Sequence, residues 1–211
     1  MKLKITSLLT AFFLLLGSGA VKDYVEPEER AVVTALSIEN KEEIYLTAEV
    51  NMPDKKGESR VTVYTSYGQN IEEAIKNLEK STYGKLFLSQ CPVILLEKGI
   101  EKTLLKNIFY QLFKNSEISL SVRFVVFEKN SNILSENSET VTGYEIENLL
   151  NNLERHQNKS LNESFAQIID KSRKSDGEFS LPVIAKENQR ITVAGSCRFI
   201  NFSIHRKEDE V

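Results

Sequence analysis

The sequence predicts an α+β domain, a mixed β-sheet with helices packed on its faces. Three observations carry that expectation. Early in the chain, apolar and polar residues alternate at the period of half-buried strands. From about residue 70, apolar residues recur at helical spacing, separated by short buried runs. The composition, 211 residues with 41% hydrophobic, 27% charged, nine Gly and four Pro, is that of an ordinary folded chain, neither low-complexity nor collagenous nor disordered. Antiparallel neighbours need only tight turns, whereas parallel neighbours need crossovers, so the change of period puts both kinds of pairing into one sheet.

The first twenty residues stand apart. Lys2 and Lys4 precede an apolar run over residues 5–16, followed by Gly17, Ser18, Gly19 and Ala20. The run is short for a bilayer span of about 20 residues, and Ser18 and Ala20 suit a signal peptidase cutting before Val21. Residues 1–20 are therefore expected to be a signal peptide, or an uncleaved anchor. Cleavage would remove two positive charges and make the net charge of −3 more negative. Residues 21–30, charged and carrying Pro27, form a tether; residues 31–204 form the domain and 205–211 a charged tail.

Within the domain, Val32, Leu36 and Ile38 mark a first strand. Ile44, Leu46, Ala48 and Val50 mark a second, joined to it by a turn over residues 39–42. A polar loop with Pro53 and Gly57 leads to a third strand over residues 60–67. Ile71, Ala74, Ile75 and Leu78 then repeat at helical spacing behind Asn70, an N-cap with Glu73 three residues on. Residues 93–96 read as a buried strand. Leu104, Leu105, Ile108, Phe109, Leu112 and Phe113 form a second helical face, and residues 122–127 another buried strand. Strand, helix, strand, helix, strand implies two right-handed crossovers. Ile146, Leu149, Leu150 and Leu153 mark a third helix. Phe165, Ile168 and Ile169 mark a fourth, with Ser160 and Glu163 as its S-x-x-E cap. Residues 181–185 and 191–200 are the last strands.

Charge and composition exclude several functions. With 27 basic against 30 acidic residues, there is no positive excess to neutralise a phosphate backbone, so nucleic acid is not an expected partner. Two Cys and two His, far apart, do not make a structural zinc site. His156 and His205 have no neighbour at ligand spacing and read as surface histidines. No G-x-S-x-G, G-x-G-x-x-G or G-x-x-x-x-G-K occurs. Cys91 sits directly before Pro92 in an apolar run, a poor place for a nucleophile. The carboxylate pairs at Glu28–Glu29, Glu42–Glu43 and Glu72–Glu73 read as solvated, the last favouring a helix dipole. No catalytic, cofactor-binding or metal-ligating residue is expected. Cys91 and Cys197 are either two buried thiols or one long-range disulfide, which export would permit. The aromatic residues are expected mainly in the core, not on a partner surface.

A series of segments resembles the N-terminal region of the Ger(x)C family, the exported C subunits of spore-germination nutrient receptors. "AVVTALSIE" (31–39) and "YLTAEV" (45–50) are similar to its first two strands. "VYTSYGQNIEEAIKNLEKST" (63–82) is similar to its strand, Gly turn and helix, and "KLFLSQCPVILLEKGI" (85–100) to the motif that follows. "NSEISLSVRFVVFEKNSNILSE" (115–136) resembles the family's D-x-E-I-R strand opening, and "LNESFAQIID" (161–170) with "FSLPVI" (179–184) its late helix and Leu-Pro strand. The resemblance implies a mixed-sheet domain without catalytic residues or cofactors. It would work with the integral membrane A and B subunits of a germinant receptor, at the membrane surface, on the outer face of the cytoplasmic or spore inner membrane. Departures are definite. Val21, Lys22 and Asp23 stand where the family has a lipobox Cys, Trp and Asp, so a lipid anchor on residue 21 is not expected. Ala35 and Ser37 replace strand glycines. "ITVAGSCRFINFSI" (191–204) resembles the strand leading into the family's later domains, so the chain is expected to be a truncated paralogue, a degenerate copy or a stand-alone partner. The alternative is a secreted protein that binds a small ligand or cell-wall polymer with the same fold.

Overall fold

The computed structural model describes residues 31–53, 59–82, 85–129, 133–134, 141–157, 163–174, 177–187 and 190–205. The expected signal segment with Ser18, Ala20 and Val21, the tether, and residues 206–211 of the tail lie outside the described residues. His205, assigned to the tail, ends a strand instead.

Nine described strands form one mixed sheet. The chain opens with an antiparallel meander, β1 (Ala31–Asn40), β2 (Ile44–Pro53) and β3 (Ser59–Gly68). The β1–β2 turn spans residues 41–43, slightly later than its expected place. Helix α1 (Ile71–Ser81) follows, then the two-residue β4 (Leu86–Phe87) and β5 (Val93–Glu97). Next come α2 (Lys102–Lys114), β6 (Arg123–Phe127), α3 (Thr142–Gln157) and α4 (Phe165–Ser172). The chain closes with β7 (Glu178–Glu187), β8 (Arg190–Ile200) and β9 (Ser203–His205).

The spatial order is β3-β2-β1-β5-β6-β7-β8-β9, with β4 also paired to β1. β1, β5, β6 and β7 are mutually parallel neighbours, and the outer pairs on both sides are antiparallel. The α+β expectation holds. The first crossover is longer than adjacency would make it, because α1 carries the chain past β2 and β1 before β5 pairs with β1. The parallel strands are buried on both faces and read as continuous apolar runs, such as Val93–Glu97 and Arg123–Phe127.

Helices α1, α2 and α4 cover one face through Ile71, Leu78, Ile108, Phe109, Phe165 and Ile168. Among the described helices, α3 alone contributes to the cluster on the other, through Ile146 and Leu150 against Ala35, Val93, Leu95 and Val125. A bulge decides which residues of β1 face which layer. The register with β2 shifts between Val33 and Ala35, so Val33 and Leu36, three apart, face the same side. Val32 was expected to share a face with Leu36 and Ile38. The bulge breaks that even spacing, and Ala31 and Val33 take the core positions.

Helix starts follow local chemistry. The Asn70 side chain accepts from Glu73 N at 2.9 Å, as expected, and Glu73 reaches back to Gln69 N at 3.0 Å. For α4 the expected cap is wrong by four residues. Ser164, not Ser160, is the N-cap, in a capping box with Gln167. Glu163 is turned away from the helix start, buried, and accepts from Lys171 Nζ at 2.7 Å and Ser180 N at 3.3 Å. Ser160 lies outside the described residues.

The aromatic core is centred on Phe109, whose ring lies 4.7 Å from Phe124, 5.9 Å from Phe165 and 5.5 Å from Phe202. The last contact depends on a hairpin the sequence did not reveal. Asn201 and Phe202 join β8 to β9 with φ of 49° and 65°, positive at both central positions as a two-residue type I′ turn requires. Asn tolerates this conformation; Phe does so at a cost of about 1–2 kcal/mol, offset by burial of its ring among Phe109 and Phe179. Replacing Phe202 by Ala should cost about 3 kcal/mol through loss of the ring. Replacing it by Gly should cost about 1 kcal/mol less than Ala, because Gly adopts positive φ freely. Urea unfolding midpoints of the two variants test that order.

Candidate functional site

Cys91 follows a short 3-10 turn (Leu88–Gln90) and is buried. Its Sγ lies 3.2 Å from Val93 O. Burial, which penalises the thiolate, pushes the thiol up to about 12, with the hydrogen bond to Val93 opposing and the charge of Glu49 adding. This is an inert core thiol. Cys197 is likewise a buried thiol, on β8 opposite Leu181. Strands β6 and β7 separate it from β5, beside which Cys91 lies. His156 falls in the last turn of α3 and His205 at the end of β9. Among the described residues no group of three or more His, Cys, Asp or Glu could hold a metal ion. Glu72 forms an exposed i,i+4 ion pair with Lys76 at 2.7 Å, which holds its carboxyl below the usual range. It is a surface pair of small energetic weight.

The most constrained polar site involves a residue that sequence patterning assigned only to a strand's polar face. Glu49 on β2 is fully buried. Its Oε1 accepts from Thr34 Oγ1 at 2.7 Å and Gly143 N at 3.0 Å, and its Oε2 from Thr142 N at 2.9 Å. The amides belong to the first turn of α3, which has no intrahelical acceptor for them. The residue before the helix is Val141, whose side chain accepts nothing, so a carboxylate from β2 supplies the cap and meets the positive end of the helix dipole. The β1 bulge aims Thr34 at the same place, since Ala35 is the residue in register with Glu49 and Thr34 is the extra one.

Close approach makes the arrangement possible. A Cβ on Gly143 would lie 1.8 Å from Thr34 O, so only glycine lets the helix come this near β1. Chemically the site is closed, because protein donors occupy the carboxylate and no substrate position remains. It is a structural clamp. The Thr142 hydroxyl, buried beside it, has no hydrogen-bond partner.

The outer surface is more open. A groove of about 480 Å³ runs between α1 and α2, with Ile71 and Ile75 on one wall and Gln111 on the other. Gln111 Oε1 accepts from Ile71 N at 2.9 Å, tying the two helices together. Beside the groove, α2 exposes Tyr110 and Phe113, 56% and 42% accessible, and Leu120 in the following loop is 50% accessible. Lys114 lies 4.5 Å over the Tyr110 ring, and Arg173 5.8 Å over Phe113.

Glu49→Ala should destabilise the fold by about 3 kcal/mol, since it leaves two amides buried without an acceptor, while the Thr34 hydroxyl keeps the backbone carbonyl of residue 49 at 3.2 Å. Glu49→Gln keeps one acceptor oxygen and should cost less. Chemical denaturation of both variants, with amide hydrogen exchange at Thr142 and Gly143, measures this. Cys91 should not react with a disulfide reagent at pH 8 until the chain is unfolded, as a thiol titration with and without urea will show.

A family model described as the spore germination protein N-terminal domain matches residues 23–186. The match takes in all four helices and the sheet from β1 through nearly all of β7, including Thr34, Glu49, Thr142 and Gly143. No curated protein and no solved structure is similar to the chain at a significant level. Because most of the chain falls within that match, and its order of elements is that of one continuous mixed-sheet domain, the protein belongs to the spore germination protein N-terminal domain family.

Proposed function

We propose that the protein is a non-catalytic, exported component of a spore-germination nutrient receptor. In this reading it acts by assembly or signal relay with the integral membrane A and B subunits, at the outer face of the cytoplasmic or spore inner membrane. The family match over residues 23–186 is the observation that carries the reading. The site chemistry agrees with it, since the buried carboxylate is saturated by donors and the Cys91 thiol is inert. Among the described residues no helix is long and apolar enough to cross a membrane; in this reading the spanning helices belong to the companion subunits.

The groove between α1 and α2 favours a second reading, a secreted protein that binds a small ligand or a cell-wall polymer. One experiment separates the two. Deleting the gene should slow nutrient-triggered germination, and a tagged chain isolated from solubilised spore membranes should bring the integral subunits with it. Unchanged germination with no co-isolated membrane subunit overturns the first reading. Retention of the tagged chain on purified cell wall would support the second.

A further inference from the structure

Helix α2 has an unusual outer face. Its sequence, KTLLKNIFYQLFK, contains no acidic residue, in a chain whose net charge is −3. Leu105, Ile108, Phe109 and Leu112 point into the core. Lys102, Lys106, Tyr110, Phe113 and Lys114 are exposed and recur at spacings of three and four, so they form one stripe along the helix. Arg173, the C-cap of α4, extends the cationic character over the Phe113 ring. Most carboxylates around it are at its ends or engaged elsewhere, although Glu79 lines the groove that Lys114 also borders. Glu101 is the N-cap, Glu117 pairs with Lys85 at 3.0 Å, and Asp170 pairs with Lys174 at 2.9 Å.

Half-exposed aromatic rings interleaved with lysines match the interfacial region of a bilayer. There the rings sit at headgroup level and the ammonium groups meet lipid phosphates. From these features we infer that the α2 stripe lies against an anionic phospholipid surface. This rests on the proposed placement at a membrane and names the face that meets it. A bilayer fits better than an acidic protein segment. Lys102, Lys106, Tyr110 and Phe113 are all exposed and lie in one narrow strip on the outside of the helix, so a flat surface meets them together. The expected tether of residues 21–30 spans at most about 35 Å when fully extended, so a domain held by its leader would keep one face near the headgroups.

The chain has no Trp, so a single introduced one reports on its own position. Tyr110→Trp is placed in the full chain on the stripe, and Tyr144→Trp, at a 39% accessible site on α3, serves as the control. Vesicles containing phosphatidylglycerol should shift the emission of the Tyr110→Trp protein to the blue and leave that of the Tyr144→Trp protein unchanged. The shift should fade with added salt and be absent with phosphatidylcholine alone. Adding Lys102→Glu and Lys106→Glu should weaken vesicle partitioning by about tenfold or more. Equal shifts at both positions, a shift that survives the two charge reversals, or no shift with anionic vesicles would each overturn the inference. If the vesicle result is negative while deletion still slows germination and the membrane subunits still co-isolate, the receptor reading stands and only the face assignment fails.

Discussion

The geometry of the domain depends on one buried carboxylate. Glu49 is held at the start of α3 by two backbone amides and the Thr34 hydroxyl. Removing a charged oxygen pair from water is expensive unless its hydrogen bonds are replaced, and here the replacements come from a strand and a helix far apart in the chain. A bulge in β1 supplies the hydroxyl, and a glycine at the second position of the helix lets the backbones close. These features support one another. Thr34 is the extra residue between Val33, paired with Val50, and Ala35, paired with Glu49, and a side chain at position 143 would hold α3 away from the sheet. The clamp therefore fixes how α3, the only helix on that face among the described residues, sits over the parallel strands.

Much of this architecture can be read in the residues. The alternation of Ile44, Leu46, Ala48 and Val50 reports a half-buried strand, and the Asn70–Glu73 cap announces α1. The apolar runs of β5 and β6 report strands covered on both faces. What is hidden follows from tertiary chemistry. Nothing in "YLTAEVN" distinguishes Glu49 from the polar residues on its face, because its role is set by amides almost a hundred residues later. The only local hint is that α3 begins after Val141, with no side chain placed to cap it. The Ser160–Glu163 spacing is a good cap pattern, but Ser164–Gln167 satisfies the same rule and leaves Glu163 available to Lys171 and Ser180. Phe202 defeats local reasoning for a similar reason. No turn preference places Phe at positive φ, and only its packing against Phe109 and Phe179 explains it.

The candidate sites divide by depth. The interior polar site is complete in itself and serves the fold, whereas the exposed chemistry lies along α2 and the groove beside it. The aromatic residues show the same division. Phe109, Phe124, Phe165, Phe179 and Phe199 form the core, while Tyr110 and Phe113 on the same helix as Phe109 face outward. One helix thus contributes its apolar stripe to the centre of the core and its cationic, aromatic stripe to the surface.

The strand order also sets a schedule for synthesis. β1 is made early but lies inside the sheet, flanked by β2 on one edge and by β4 and β5 on the other. Its meander with β2 and β3 can close as soon as residue 68 is available. Its second edge stays open until residues 86–97 have emerged and α1 has carried them across. A nascent chain therefore passes through a stage in which an apolar strand edge is unpaired and competent to join a strand from a neighbouring molecule. Slow translation between residues 68 and 97 would prolong that stage, which makes this interval the one where a chaperone has most to protect.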